Sequence, residues 1–258
     1  MNKNRRMWVL VIIVVFATVS VSVTTLSSQE VSCQSQDKSA QERQTPTEFE
    51  SQFPVADYNA PEEADPEKRA KRKTKNSRYD NSKFVSRDSE HGVSQHVIVA
   101  ELPPLPAIPA KESDVIVVGE VIQARAFVSN DKTSVYSEFA VRIEELLKNN
   151  TSNGLSESNE IAIDRKGGFV RFPNGNKVLH RIQGQFMPRI GKRYVFFLTK
   201  TDQSPNYRIL TGHELNANGI SPLDRRVQFE GYKNVDATSF LKAVRDEIAQ
   251  LQQSNPKD

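Results

Sequence analysis

Between Asp114 and Ile143 apolar and polar residues alternate in a way that predicts two long strands. Ile116 and Val118 share one face of the first, as do Ile122, Ala124, Ala126 and Val128 further along. The alternation falters at Gly119-Glu120, where a bulge or bend is expected. Ser129-Asn130-Asp131-Lys132 supplies the residues of a turn. Beyond it, Val135, Ser137, Phe139, Val141 and Ile143 face one way, and Tyr136, Glu138, Ala140, Arg142 and Glu144 the other. This period of two marks a half-buried strand, so the pair reads as a hairpin.

The same reading predicts shorter strands over His96–Ala100, Glu160–Asp164 and Tyr207–Leu210. Ile161 and Ile163 face inward in the second of these, and Leu146–Asn159 before it reads as a polar loop. Pro103, Pro104, Pro106 and Pro109 force an extended connector. Glycine-rich turns at Gly167-Gly168 and Pro173-Asn174-Gly175-Asn176 bracket Phe169–Phe172 and lead to Lys177–Ile182, a second hairpin. Tyr194-Val195-Phe196-Phe197-Leu198 is apolar throughout and is expected inside the sheet with both faces covered.

One helix is expected, at about 237–253, with Asp236 or Thr238 as N-cap and an apolar stripe of Leu241, Val244, Ile248 and Leu251. The stripe packs on the barrel or meets a partner helix in a short coiled coil. The fold class is therefore mainly β: a small antiparallel, OB-like barrel or sandwich over 96–232, with an amphipathic helix and tail over 233–258.

The chain opens differently. Lys3, Arg5 and Arg6 precede an apolar run from Met7 to Val23, the order of charge and hydropathy found in an export signal. Residues 1–26 then act as a cleaved signal, with small residues at Ser20, Ser22 and Ser27, or remain as a membrane anchor of about 17 apolar residues. Lipidation at Cys33 is a third route, although Glu30 stands where a lipobox has leucine. Each route puts the rest of the chain outside the cytoplasm, anchored to the membrane or periplasmic or secreted. From 27 to 95 polar residues dominate without apolar periodicity, which predicts a disordered linker. Its charges separate into an acidic half, Glu42–Glu67, and a basic block at Lys68, Arg69, Lys71, Arg72, Lys73, Lys75 and Arg78. The block is a solvated tether or a patch for anionic lipid or cell-wall polymer. Arg69-Ala70-Lys71-Arg72 also fits a proprotein-convertase pattern.

The single cysteine excludes an intramolecular disulfide, so an exported domain must be held by its own core. A formal charge of +3 across 258 residues gives no reason to expect a nucleic-acid partner. Four scattered histidines provide no metal set, and His213-Glu214 lacks a second histidine one helical turn away. No Gly-x-Ser-x-Gly elbow or phosphate loop is present, and no cofactor is expected. Cationic residues gather near Phe169 and Phe172 instead. Arg165, Lys166, Arg171, Lys177 and Arg181 are the candidate anionic-ligand surface, with His180 and Arg189 nearby. The alternative is the charged outer surface of a barrel.

Ser113–Val121, Phe139–Lys148 and Gly191–Leu198 together resemble exported bacterial proteins of acidobacterial type. They are distantly similar to the OB-type barrels of metalloproteinase inhibitors and netrin modules. That resemblance implies an OB-like fold over about Ser113–Leu215. It carries over no inhibitory residues, because the N-terminal cysteine and the disulfides of those inhibitors are missing. The expected role is non-enzymatic: an envelope binding or interaction module, attached to the membrane through its N-terminus if uncleaved. An exported hydrolase with an unrecognised active site is the rival class.

Overall fold

A computed structural model describes residues 53–83, 85, 93–100, 102, 104–152, 154–201 and 206–254. All of them fall in the unit Gln44–Asp258. The export segment and Cys33 lie outside the described residues.

Five strands close on one another. They are β3 (Val115–Val128), β4 (Val135–Asn149), β5 (Glu160–Lys166), β8 (Arg193–Lys200) and β9 (Tyr207–Asn216). The order around the barrel is β3-β4-β5-β9-β8 and back to β3, antiparallel at every seam except β5–β9. With the five strands numbered along the chain this order is 1-2-3-5-4-1, the closed OB arrangement. β10 (Gly219–Pro222) extends the sheet from β9.

Alternation explains the closure. Val117, Val121, Phe139, Val141, Ile163, Tyr194, Phe196 and Leu198 fill the interior. Ile116, Val118, Val195 and Phe197 project outward and are covered by α3 (Ala237–Ser254) through Phe240, Val244 and Ile248. β8 is therefore buried on both faces, as its composition predicts. The expected irregularity in β3 is present, with register shifts against β4 on either side of Gly119. A Cβ there would lie 2.6 Å from Val141 Cγ1 and 2.7 Å from the Arg142 carbonyl oxygen. β4 runs on to Asn149, so the predicted loop begins later. α3 starts where Asp236 accepts a hydrogen bond from the Ser239 amide at 2.9 Å, which fixes Asp236 as its cap.

The second sheet departs from expectation. Its centre is the predicted hairpin, β6 (Gly168–Arg171) with β7 (Lys177–Ile182). β1 (Val55–Asp57) pairs in parallel with β6, and β2 (Val93–Ile98) in parallel with β7. Between them lies α1 (Pro66–Ser77). The reading of 27–95 as a disordered linker is corrected for its described part: two strands and a helix of the main unit come from it.

The reason lies in how α1 is built. Asp65 accepts from the Glu67 and Lys68 amides, Pro66 opens the first turn, and Glu67 and Lys75 sit at the ends that suit their charges. Its buried face is cationic rather than apolar. Lys75 is 7% exposed, and its ammonium lies 3.0 Å from Glu138 and 3.8 Å from Asp164. Arg72 pairs with Glu138 and lies flat over Phe127, 3.6 Å from the ring centre. Arg78 donates to Asp164 at 2.9 Å, and the Tyr79 hydroxyl donates to the same carboxylate at 2.7 Å. Tyr79 stacks on Tyr136 at 4.1 Å. Burial pulls the Lys75 ammonium down despite the two carboxylates beside it. Burial and the Asp164 charge push the Tyr79 phenol far up. The basic block is thus a docked helix, and the dibasic pattern at Arg69–Arg72 lies within it.

Candidate anion-binding surface

The five candidate cations do not form one surface. Arg165 belongs to the interior face of β5, in phase with Ile161 and Ile163, and is 2% exposed. Its Nη2 donates to both oxygens of Asp224, at 2.6 and 2.7 Å, and its Nη1 donates to the Phe186 carbonyl. Thr211 donates to Asp224 at 2.7 Å. Arg165 is therefore corrected from a surface ligand to the centre of a buried ion pair.

Lys166 is half-buried at the end of β5, and burial lowers its ammonium. Arg171 is exposed but forks onto Asp57, with contacts of 2.5 and 2.9 Å. Lys177 stands opposite Arg171 in the β6–β7 register. Phe169 and Phe172, expected to accompany these cations at the surface, are both buried. Arg189 is held by Glu214, at 2.8 and 2.9 Å.

Arg181 lies beside residues other than the expected ones. At the end of β7 its Nε and Nη2 face the side-chain amide of Gln95 on β2. Its guanidinium carbon lies 5.8 Å from the centre of the Phe186 ring. Arg225 lies 4.8 Å from the same ring. Burial, and then the neighbouring Arg225, hold the Arg181 guanidinium below its usual range. Among the described ion pairs neither guanidinium has a carboxylate partner.

A clipped turn brings these residues together. Gly184 takes a φ of +74° and accepts the Arg225 amide at 2.7 Å, while the Phe186 amide donates to Leu223 at 2.8 Å. Gln185 and Asp224 form an antiparallel bridge. Phe186 and Arg225 were not identified from the sequence. They are about 40 residues apart, joined by a bridge that leaves no local pattern.

His213-Glu214 divides between two faces of β9. Glu214 meets Arg189 and Tyr194, whereas His213 is fully buried with Phe240, Phe229 and Phe197 around it at 4.6, 5.7 and 6.0 Å. Among the described residues no three histidine, cysteine or acidic side chains converge as a metal set. No protein-family description matches this chain, and no curated protein matches it significantly.

Proposed function

We propose that this chain is a non-enzymatic module of the cell envelope, exported and then held at or released from the outer side of the membrane. It binds anionic envelope components through Arg181, Phe186 and Arg225. The observation that carries this reading is the pair of guanidinium groups held beside one aromatic ring, without carboxylate partners among the described residues. Placing like charges together is unfavourable, and a bound phosphate or carboxylate relieves that repulsion while accepting charge-assisted hydrogen bonds. The ring adds short-range contact, and the clipped turn fixes the geometry before binding.

The perturbed groups elsewhere support binding over bond-making chemistry. Lys75, Tyr79 and Tyr136 are buried in the contact between α1 and the barrel rather than aimed at open space. Among the described residues no helix is long and apolar enough to cross a membrane. Any membrane attachment in this proposal rests on the Met7–Val23 run outside them.

The test is binding of the full chain to polyphosphate and to phosphatidylglycerol vesicles at low and high salt. Reversing both charges, Arg181→Glu with Arg225→Glu, is expected to weaken binding about tenfold or more at low salt. Loss with polyphosphate alone identifies a polymer ligand, and loss with vesicles alone a lipid headgroup. Unchanged binding to both discards the proposed surface.

A further inference from the structure

A cleft of about 670 Å³ opens on another part of the molecule. Its walls are one face of α1, the segment that continues β1 through Glu63, and the tip of the β3–β4 hairpin. The volume lies within the range typical of sites for small ligands.

Val55, Pro61 and Val128 give it an apolar side, and Val55 stays 38% exposed there although it is a strand residue. Arg69, Arg72 and Lys73 line the α1 wall at the spacing that puts them on one helical face. Arg72 is committed to Glu138. Arg69 and Lys73 each pair with Glu62, at 3.7 and 2.9 Å, Arg69 also donates to the Ala64 carbonyl at 3.3 Å, and the three side chains of this ion-pair group are exposed. Lys132 completes the rim, its ammonium 4.7 Å from the Tyr58 ring centre and 3.0 Å from the Asn59 side-chain oxygen. Asp57 also lines the cleft, but Arg171 neutralises it.

Glu62 lies in an exposed stretch with no helical or strand hydrogen bonding of its own. Exposed ion pairs of this kind contribute little to stability, so the contact is exchangeable. A carboxylate from the chain itself rests on two cations at the mouth of an amphipathic cleft.

We propose that this cleft binds a small amphipathic anion, a compact apolar body carrying one carboxylate, sulfonate or phosphate group. Glu62 is its internal competitor. The ligand's charged group replaces the Glu62 carboxylate on Lys73 and Arg69, and its apolar body covers Val55, Pro61 and Val128. This site is independent of Arg181 and Arg225.

The probe is 8-anilinonaphthalene-1-sulfonate, a flat apolar anion, titrated into the full chain by fluorescence with decanoate as competitor. Saturable binding of one probe per chain, displaced by decanoate, is expected. Glu62→Gln removes the competitor and should tighten binding about threefold or more. Lys73→Glu with Arg69→Glu should weaken it about tenfold. All three positions are exposed, and unchanged circular dichroism and melting will show that the variants fold. Binding that survives Lys73→Glu with Arg69→Glu, or that is indifferent to Glu62→Gln, overturns the proposal. Arg181→Glu with Arg225→Glu should leave the probe bound; loss there instead places it on the other surface and also overturns the cleft.

Discussion

Replacing Asp164 with alanine is expected to destabilise the protein by about 3–5 kcal/mol and to release α1 from the barrel. Asp164 is fully buried on β5 and accepts from Arg78 and Tyr79, with Lys75 at 3.8 Å. Removing it leaves Arg78 and Lys75 with their charge inside the contact, and Tyr79 without its acceptor. The cost is that of stranded charge rather than of one lost contact. Two measurements check it. Urea denaturation gives the stability change, and limited trypsin digestion reports α1, whose exposed Lys68, Lys71 and Lys73 become cleavable once the helix leaves the sheet. A loss below about 1 kcal/mol with an unaltered digestion pattern would show that the contact holds neither the helix nor the fold. Asp164→Asn, which keeps the shape but not the charge, should fall between the variant and the parent.

Acidification should weaken the protein through His213. Burial drives this imidazole from its usual 6.5 down to about 4, with Asp224 opposing the change weakly. Neither ring nitrogen has a hydrogen-bond partner, and three phenylalanines surround the ring. Below pH 6.5 the unfolded chain takes up a proton that the folded chain refuses until about pH 4. Stability therefore falls as pH drops through that window, and the full loss, present below it, is about 3 kcal/mol. His213→Phe retains an aromatic ring between β9 and α3 and removes the titration. Melting temperatures of parent and variant should converge near neutrality and separate toward pH 4, with the variant higher. Parallel curves across that range would contradict this account of His213.

What was legible in the sequence followed from periodicity. β4 declares itself by its alternation, β8 by being apolar at every position, and α3 by Asp236 ahead of its stripe. The helix α1 carried start signals too, in Asp65-Pro66-Glu67, but no apolar stripe. Its side toward the barrel carries the half-buried Arg72 and Asn76 and the buried Lys75, which a hydropathy pattern reads as solvent-facing. Only the partners on β4 and β5, more than sixty residues away, make burial of those cations favourable.

The candidate surface failed for a related reason. Ile161 and Ile163 read as inward residues, and the same period of two carries Arg165 inward as well. That signal was available. A guanidinium is stable in an interior only beside a counter-ion, and Asp224 lies 59 residues further along the chain. Arg181 stands out in the sequence as one of a group of cations, whereas Phe186 and Arg225 come beside it only through the bridge between Gln185 and Asp224.

The strands that flank the β6–β7 hairpin have a consequence for assembly. The hairpin closes across a short turn, yet Asp57 must find Arg171 across 114 residues and His96 must find His180 across 84. Loop-closure entropy makes such pairings slow, so β1 and β2 are expected to join the sheet after the hairpin has formed. Until they arrive, both margins of the hairpin offer unsatisfied backbone groups to any neighbouring chain. Shortening the chain past Ile98 removes both flanking strands and leaves the two margins of the β6–β7 hairpin unpaired.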